Sequence, residues 1–121
     1  MSLRLSFYGA TGKVTGSNFL IEGARGKVLV DCGIEQGGDF VEAHIYGPFP
    51  YDVTKIDALV LTHAHLDHVG RIPKLVRDGF RGKIYMTPPT KDLAALILSD
   101  SVGILGEEAT RRGIAPLYEE K

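Results

Sequence analysis

The chain has 121 residues, 44% of them hydrophobic and 24% charged, with a formal net charge of -1. These proportions suit one globular domain or part of one. No basic surplus marks a nucleic-acid binder and no acidic surplus marks a basic partner, although a bound metal would add local positive charge that such counting omits.

The single cysteine, Cys32, excludes an intramolecular disulfide framework. The N-terminus lacks the basic-then-apolar layout of a signal peptide, and no apolar run approaches the ~18 residues that suggest a membrane span. The expectation is a soluble, cytoplasmic protein with no membrane partner.

Residues 3–8 alternate apolar and polar side chains and predict a first strand. A Gly-rich loop follows over residues 9–16. Residues 18–22 and 27–31 predict two more strands, joined by a turn at 23–26 as an antiparallel hairpin. Residues 32–52 carry scattered Gly and Pro and read as irregular, with a short helix near 40–44. Residues 56–61 form the most apolar run and predict a central strand buried on both faces. Residues 69–78 predict a helix with Val69, Ile72, Leu75 and Val76 at helical spacing, Pro73 in its first turn and Gly79 as its stop. Residues 83–86 predict another strand. Thr90 is positioned to cap a helix running from Lys91 towards Gly103. A further helical stretch is predicted over 105–112, ending at Gly113, and residues 116–121 look like the opening of another. Strands first, then alternating helices and strands, predict an α/β fold with a mixed sheet.

The segment Leu61-Thr62-His63-Ala64-His65-Leu66-Asp67-His68 holds three of the four histidines in the chain. Imidazole nitrogen and carboxylate oxygen are both good zinc ligands. In an extended segment residues two apart point the same way, so His63 and His65 can meet one metal, and small Ala64 makes way between them. Asp67 and His68 lie where the chain turns into the predicted helix and aim at a neighbouring point. Two metals roughly 3.5–4 Å apart are the expected outcome, able to hold a bridging hydroxide and clamp a phosphate or carbonyl oxygen. The cluster also follows a buried strand, and ligands often bind beyond the carboxyl ends of strands in α/β sheets.

Other residues admit two readings each. Cys32 is a ligand or reactive thiol, or a small buried hydrophobe, and the second is favoured. His44 is favoured as a surface or structural residue over a ligand. The loop over 9–16, with Thr11, Lys13 and Thr15, either cradles phosphate or makes a tight connection, and it lacks Walker spacing. Arg71, Lys74 and Arg77 attract a phosphate backbone or form a solvated helix face, the usual meaning of that spacing. Phe49 and Tyr51 stack on bases or, as favoured, pack a loop onto the core.

The segment from Thr62 to His68 resembles the signature motif of the metallo-β-lactamase superfamily, and Val30-Asp31-Cys32-Gly33 resembles its earlier strand-ending Asp-x-Gly motif. Residues 10–20, with Val14-Thr15-Gly16-Ser17 inside, resemble the start of the RNA-processing branch. So do Asp31-Cys32-Gly33 with Gln36-Gly37, and His68-Val69-Gly70-Arg71-Ile72-Pro73-Lys74-Leu75. That branch includes the β-CASP ribonucleases and the cleavage and polyadenylation specificity factor nuclease.

The resemblance implies the N-terminal half of an αββα sandwich, a mixed sheet with flanking helices. It implies His63 and His65 as ligands of a first zinc ion, and Asp67 and His68 as ligands of a second. Asp67 is also implied as the catalytic residue that orients the attacking water, and Asp31 as the carboxylate behind the ligands that holds the His loop in shape.

The chain departs from the family's pattern as well. No His follows His68, and the later aspartates Asp78, Asp92 and Asp100 fall on predicted helices or their ends. A further histidine, a bridging aspartate, a final histidine and the RNA-gripping β-CASP domain are therefore all missing. Glu35 stands where the branch usually has an aromatic residue. Residues 1–121 are accordingly read as a partial domain with at most partial zinc occupancy, inactive by itself. A homo-oligomeric or domain-swapped assembly through an exposed sheet edge is a further expectation. The implied activity of the parent is zinc-dependent hydrolysis of RNA. The alternatives are a hydrolase of the same superfamily acting on a thioester or small phosphodiester, and a truncated, non-catalytic binding protein.

Overall fold

The computed structural model describes residues 2–35 and 46–112. The expected helices near 40–44 and 116–121, and His44, Gln36, Gly37 and Gly113, lie outside the described residues.

Five strands form one mixed sheet in chain order. β1 (Arg4–Gly9) and β2 (Asn18–Gly23) run antiparallel, as do β2 and β3 (Gly26–Val30). β4 (Ala58–Val60) lies parallel to β3, and β5 (Lys83–Tyr85) parallel to β4. This is the mixed sheet with flanking helices that the element order predicts.

Register explains the core. Leu20, Leu29, Leu59 and Ile84 sit side by side across four strands. The first three are buried, and they pack with Val69, Ile72 and Leu75. The opposite face carries Leu5, Phe7, Val60 and Tyr85, all exposed among the described residues. Period-2 alternation therefore gives one covered face. β4 differs from expectation here: Leu59 is fully buried, but Val60 is 38% exposed, so the strand is not buried on both faces.

The expected helix over 69–78 is instead two short helices, α1 (Leu66–Val69) and α2 (Ile72–Arg77). α1 begins earlier because extended His65 serves as its N-cap, its carbonyl accepting the N–H groups of His68 and Val69. The break at Gly70-Arg71 has two causes. The Arg71 N–H turns to the Cys32 carbonyl at 2.9 Å. Pro73, second in α2, has no N–H with which to continue the ladder. Gly79 follows α2 with a φ of 120°, which supports the predicted stop.

The final helix, α3 (Pro88–Arg112), is continuous where two were expected. The Thr87 hydroxyl, not that of Thr90, accepts the N–H at its start, and it donates in turn to the Thr90 hydroxyl. Pro88 and Pro89 fill the first two positions, where a missing N–H has no cost. Gly103 and Gly106 lie inside the helix in open space. Among the described residues no helix is long and apolar enough to cross a membrane.

Candidate metal centre

β3 and β4 end side by side, Val30 opposite Val60, so both chains leave the sheet at the same end. The Asp31 N–H donates to the Val60 carbonyl at 2.9 Å, one step beyond the ladder. Asp31 then takes a φ of 60°, a left-handed conformation that Asp tolerates better than most residues, and the chain turns across the top of the sheet.

That turn receives α1. A four-residue helix satisfies few of its own carbonyls, although that of Leu66 also takes the Gly70 N–H at 2.8 Å. The N–H groups of Ile34, Ser17 and Cys32 take the carbonyls of Leu66, Asp67 and His68 at 3.2, 2.9 and 2.8 Å. Gly33 makes this approach possible, because a Cβ there would lie 1.7 Å from the Asp67 carbonyl oxygen. The Asp-x-Gly motif is thus a backbone cradle for the helix that carries Asp67 and His68.

Within the cluster, one ligand atom each from His63, Asp67 and His68 lie within 4.8 Å of one another. The rings of His63 and His68 are 3.9 Å apart between centroids, and His68 Nε2 is 3.3 Å from Asp67 Oδ2. The His65 ring lies edge-on to His63 at 4.8 Å, outside this group of three. His63 thus stands beside His65 on one side and gathers with Asp67 and His68 on the other. The early start of α1 puts Asp67 and His68 on its first turn beside the loop.

Asp31 lies beneath, 1% exposed. Its carboxylate accepts from His68 Nδ1 at 2.7 Å, the Thr62 N–H at 2.9 Å, the Thr62 hydroxyl at 2.9 Å and the Ser17 hydroxyl at 3.2 Å. With Nδ1 engaged, His68 keeps Nε2 for the side facing Asp67. A ring held this way by a carboxylate is the usual arrangement behind a metal-binding histidine. Two imidazoles and a carboxylate with convergent donors fit a divalent cation.

Several groups that the sequence leaves inconspicuous support Asp31. Asn18 Nδ2 donates to the Asp31 carbonyl at 2.9 Å, and Tyr51 Oη donates to Asn18 Oδ1 at 2.8 Å. The legible signal was the alternation of β2: Asn18 shares the inward face of Leu20, so a polar amide there needs buried partners.

The remaining candidates are resolved by packing. Cys32 is fully buried, and burial pushes its thiol up to about 12, against the lowering pull of Arg71 and Lys74. It is a core residue. Tyr51 also has its phenol pushed up, chiefly by burial. Phe49 and Tyr51 pack against each other at 5.6 Å, and Tyr51 packs on Tyr8 at 5.1 Å, so they pin a loop to the core. Arg71 and Lys74 form neither a phosphate-tracking stripe nor a solvated face. Both are buried, with the Arg71 guanidinium and Lys74 ammonium 5.1 and 4.2 Å from the Phe49 ring centroid. The Gly-rich loop abuts the site: Gly16 stands against the Glu35 backbone, and Lys13 pairs with the Glu35 carboxylate.

The family model described as the metallo-beta-lactamase superfamily matches residues 11–96. The chain belongs to the metallo-β-lactamase superfamily. Membership of the superfamily implies metal ions, and the donor atoms of His63, Asp67 and His68 offer a candidate place for one. Ribonuclease TTHA0252 of Thermus thermophilus is 45% identical over 105 residues, covering 87% of this chain and 24% of that protein. Transcription termination factor FttA of Methanosarcina mazei is 36% identical over 110 residues, covering 90% of this chain and 17% of that protein. The chain thus spans a quarter or less of the length of these relatives. The solved structure of MEM-A1, a subclass B3 metallo-beta-lactamase from a soil metagenome library, superposes with a TM-score of 0.52 at 20% identity, over 74% of this chain and 32% of that one. That likeness is one of fold within the superfamily.

Proposed function

We propose that these residues are the metal-gathering part of a zinc-dependent ribonuclease of the β-CASP RNA-processing branch, acting inside the cell on RNA phosphodiester bonds. The observation that carries the reading is the convergence of His63, Asp67 and His68 donor atoms within 4.8 Å, above a buried Asp31. The names of the relatives, a ribonuclease and a transcription termination factor, favour RNA over other phosphodiesters or thioesters.

In this reading His63, His65, Asp67 and His68 hold zinc, and Asp67 orients the attacking water. Bound zinc supplies hydroxide near neutral pH and positive charge for the phosphoryl oxygens. Asp31 fixes the His68 ring, and the backbone cradle around Gly33 fixes the turn that presents Asp67. The four side chains come from one segment, and the activity is proposed for the protein that carries residues 1–121.

The test is zinc calorimetry together with cleavage assays on the protein carrying this chain, comparing RNA, a small phosphodiester and a thioester. RNA cleavage that disappears in Asp67→Ala and His68→Ala supports the reading. Turnover of the thioester in preference to RNA, or RNA cleavage indifferent to both substitutions, overturns it.

A further inference from the structure

We infer that Thr62 is a positioning residue: its hydroxyl fixes the ring tautomer of His63 and so readies Nε2 of that ring for a metal. The inference rests on the metal-centre reading for its purpose, but on hydrogen-bond geometry for its substance.

Thr62 sits between the end of β4 and His63. Its N–H donates to Asp31 Oδ1 at 2.9 Å, which anchors its backbone to the carboxylate. Its hydroxyl lies 3.1 and 2.9 Å from the two Asp31 oxygens, 3.0 Å from His63 Nδ1 and 3.4 Å from His68 Nδ1. A hydroxyl has one proton to give and two lone pairs to receive. A carboxylate can only accept, so the Thr62 proton goes to Asp31. The side of the oxygen facing His63 is then an acceptor, and the 3.0 Å contact is a hydrogen bond only when His63 Nδ1 carries hydrogen.

The same logic fixes His68. Its Nδ1 lies 2.7 Å from Asp31 Oδ2, closer than its 3.4 Å approach to Thr62, so its proton goes to the carboxylate. Both rings are therefore held with hydrogen on Nδ1, and Nε2 is the nitrogen left to face a metal. Asp31 does this directly for His68. For His63 it acts through Thr62, which passes the acceptor character of the carboxylate on to a second ring. One buried carboxylate thus sets two histidines, and the hydroxyl between them makes that possible. Valine in this place would keep the shape and lose the relay. Serine would keep it.

The experiment is long-range proton–nitrogen NMR of the histidine rings in the metal-free full protein, with zinc affinity measured by competition against a chromophoric chelator. The expected result is the Nδ1–H tautomer for His63 in the wild type. Thr62→Val should give a mixed tautomer at His63, an unchanged one at His68, and a zinc affinity lower by about 10–100-fold. Thr62→Ser should restore both readings. An Nε2–H tautomer at His63 in the folded wild type overturns the inference without any variant, even if Thr62→Val does not fold. So does a folded Thr62→Val protein with unchanged tautomer and affinity. A wild type that shows the expected tautomers yet binds no zinc would overturn the metal reading and leave the Thr62 relay standing.

Discussion

His68 and Asp31 meet side chain to side chain, Nδ1 to Oδ2 at 2.7 Å, although they lie 37 positions apart in the sequence. The parallel pairing of β3 and β4 brings both exits to one end of the sheet, with Asp31 directly after β3 and His68 on α1 beyond β4. Asp31→Ala removes the acceptor for four donors in a buried place. The expected loss is about 1–3 kcal/mol of stability for donors left unsatisfied, read from the urea midpoint. Zinc affinity should fall about 10–100-fold as the His68 ring comes free. An Asp31→Ala protein that binds zinc like the wild type would remove the carboxylate from any role behind the ligands.

Gly33 gives a backbone counterpart. A methyl group there would meet the Asp67 carbonyl oxygen at 1.7 Å and the His68 nitrogen at 2.7 Å, so α1 or the β3 exit has to move. Gly33→Ala should therefore cost at least the ~1–3 kcal/mol typical of overpacking, and zinc affinity should drop with it, because the shift falls on the turn that carries Asp67 and His68. Denaturant unfolding and calorimetry on the same preparation read both effects. A loss of stability without any loss of affinity would mean that α1 is not held in place by this contact.

How much of this was legible in the sequence depends on whether a signal is local. The His63 to His68 cluster, the strands around it and the stop at Gly79 rest on short-range spacing and turn chemistry, and they read directly. The grouping of His63 with Asp67 and His68 did not, because it depends on where α1 begins. That start is set by the cap at His65, in a helix whose carbonyls are held by the N–H groups of Cys32, Ile34 and Ser17 from distant segments. Arg71 and Lys74 misled for a related reason: helical spacing places them on one face, but only tertiary packing says that the face looks at Phe49 rather than at water. The continuity of α3 through Gly103 and Gly106 was hidden because propensity argues against glycine in a helix interior, and nothing local announces that the helix carries on.

Cys32 offers a test of burial by chemistry. Its thiol is pushed up to about 12 from an ordinary 9.0, mainly by burial. The thiolate is the reactive form, so a disulfide reagent at pH 8 should leave the folded chain unmodified and should modify one thiol per chain in denaturant. The sign of the pH effect follows from linkage. The folded state holds its thiol proton more tightly than the unfolded state, so this contribution to stability is intact below about pH 9 and is lost as pH rises from there towards 12. Rapid labelling of the folded chain at pH 8 would show that the thiol is reachable and that the core around Leu29 and Leu59 opens readily.

Lys74 and Asp78 supply the last prediction. The Lys74 side chain is 3% exposed, its ammonium lies 4.2 Å from the Phe49 ring centroid, and its Nζ donates to Asp78 Oδ2 at 2.7 Å. Burial would raise the Asp78 carboxyl, but the hydrogen bond and charge of Lys74, helped by Arg77, outweigh it and hold the group below its ordinary 3.8. A depressed carboxylate stabilises the fold above its unfolded value and stops doing so as pH falls through its folded value. Asp78→Asn should therefore cost about 1.5–3 kcal/mol at pH 7, the range for a hydrogen bond to a charged group. The gap between variant and wild type should close as the pH is taken below 3.8. Lys74→Met fills the same space without a charge to satisfy, and adding Asp78→Asn to it should cost much less than Asp78→Asn alone. Urea unfolding of the four proteins at pH 7 and pH 3 measures the coupling. Equal cost of Asp78→Asn in both backgrounds would mean that Lys74 owes its buried position to the Phe49 ring and not to the carboxylate.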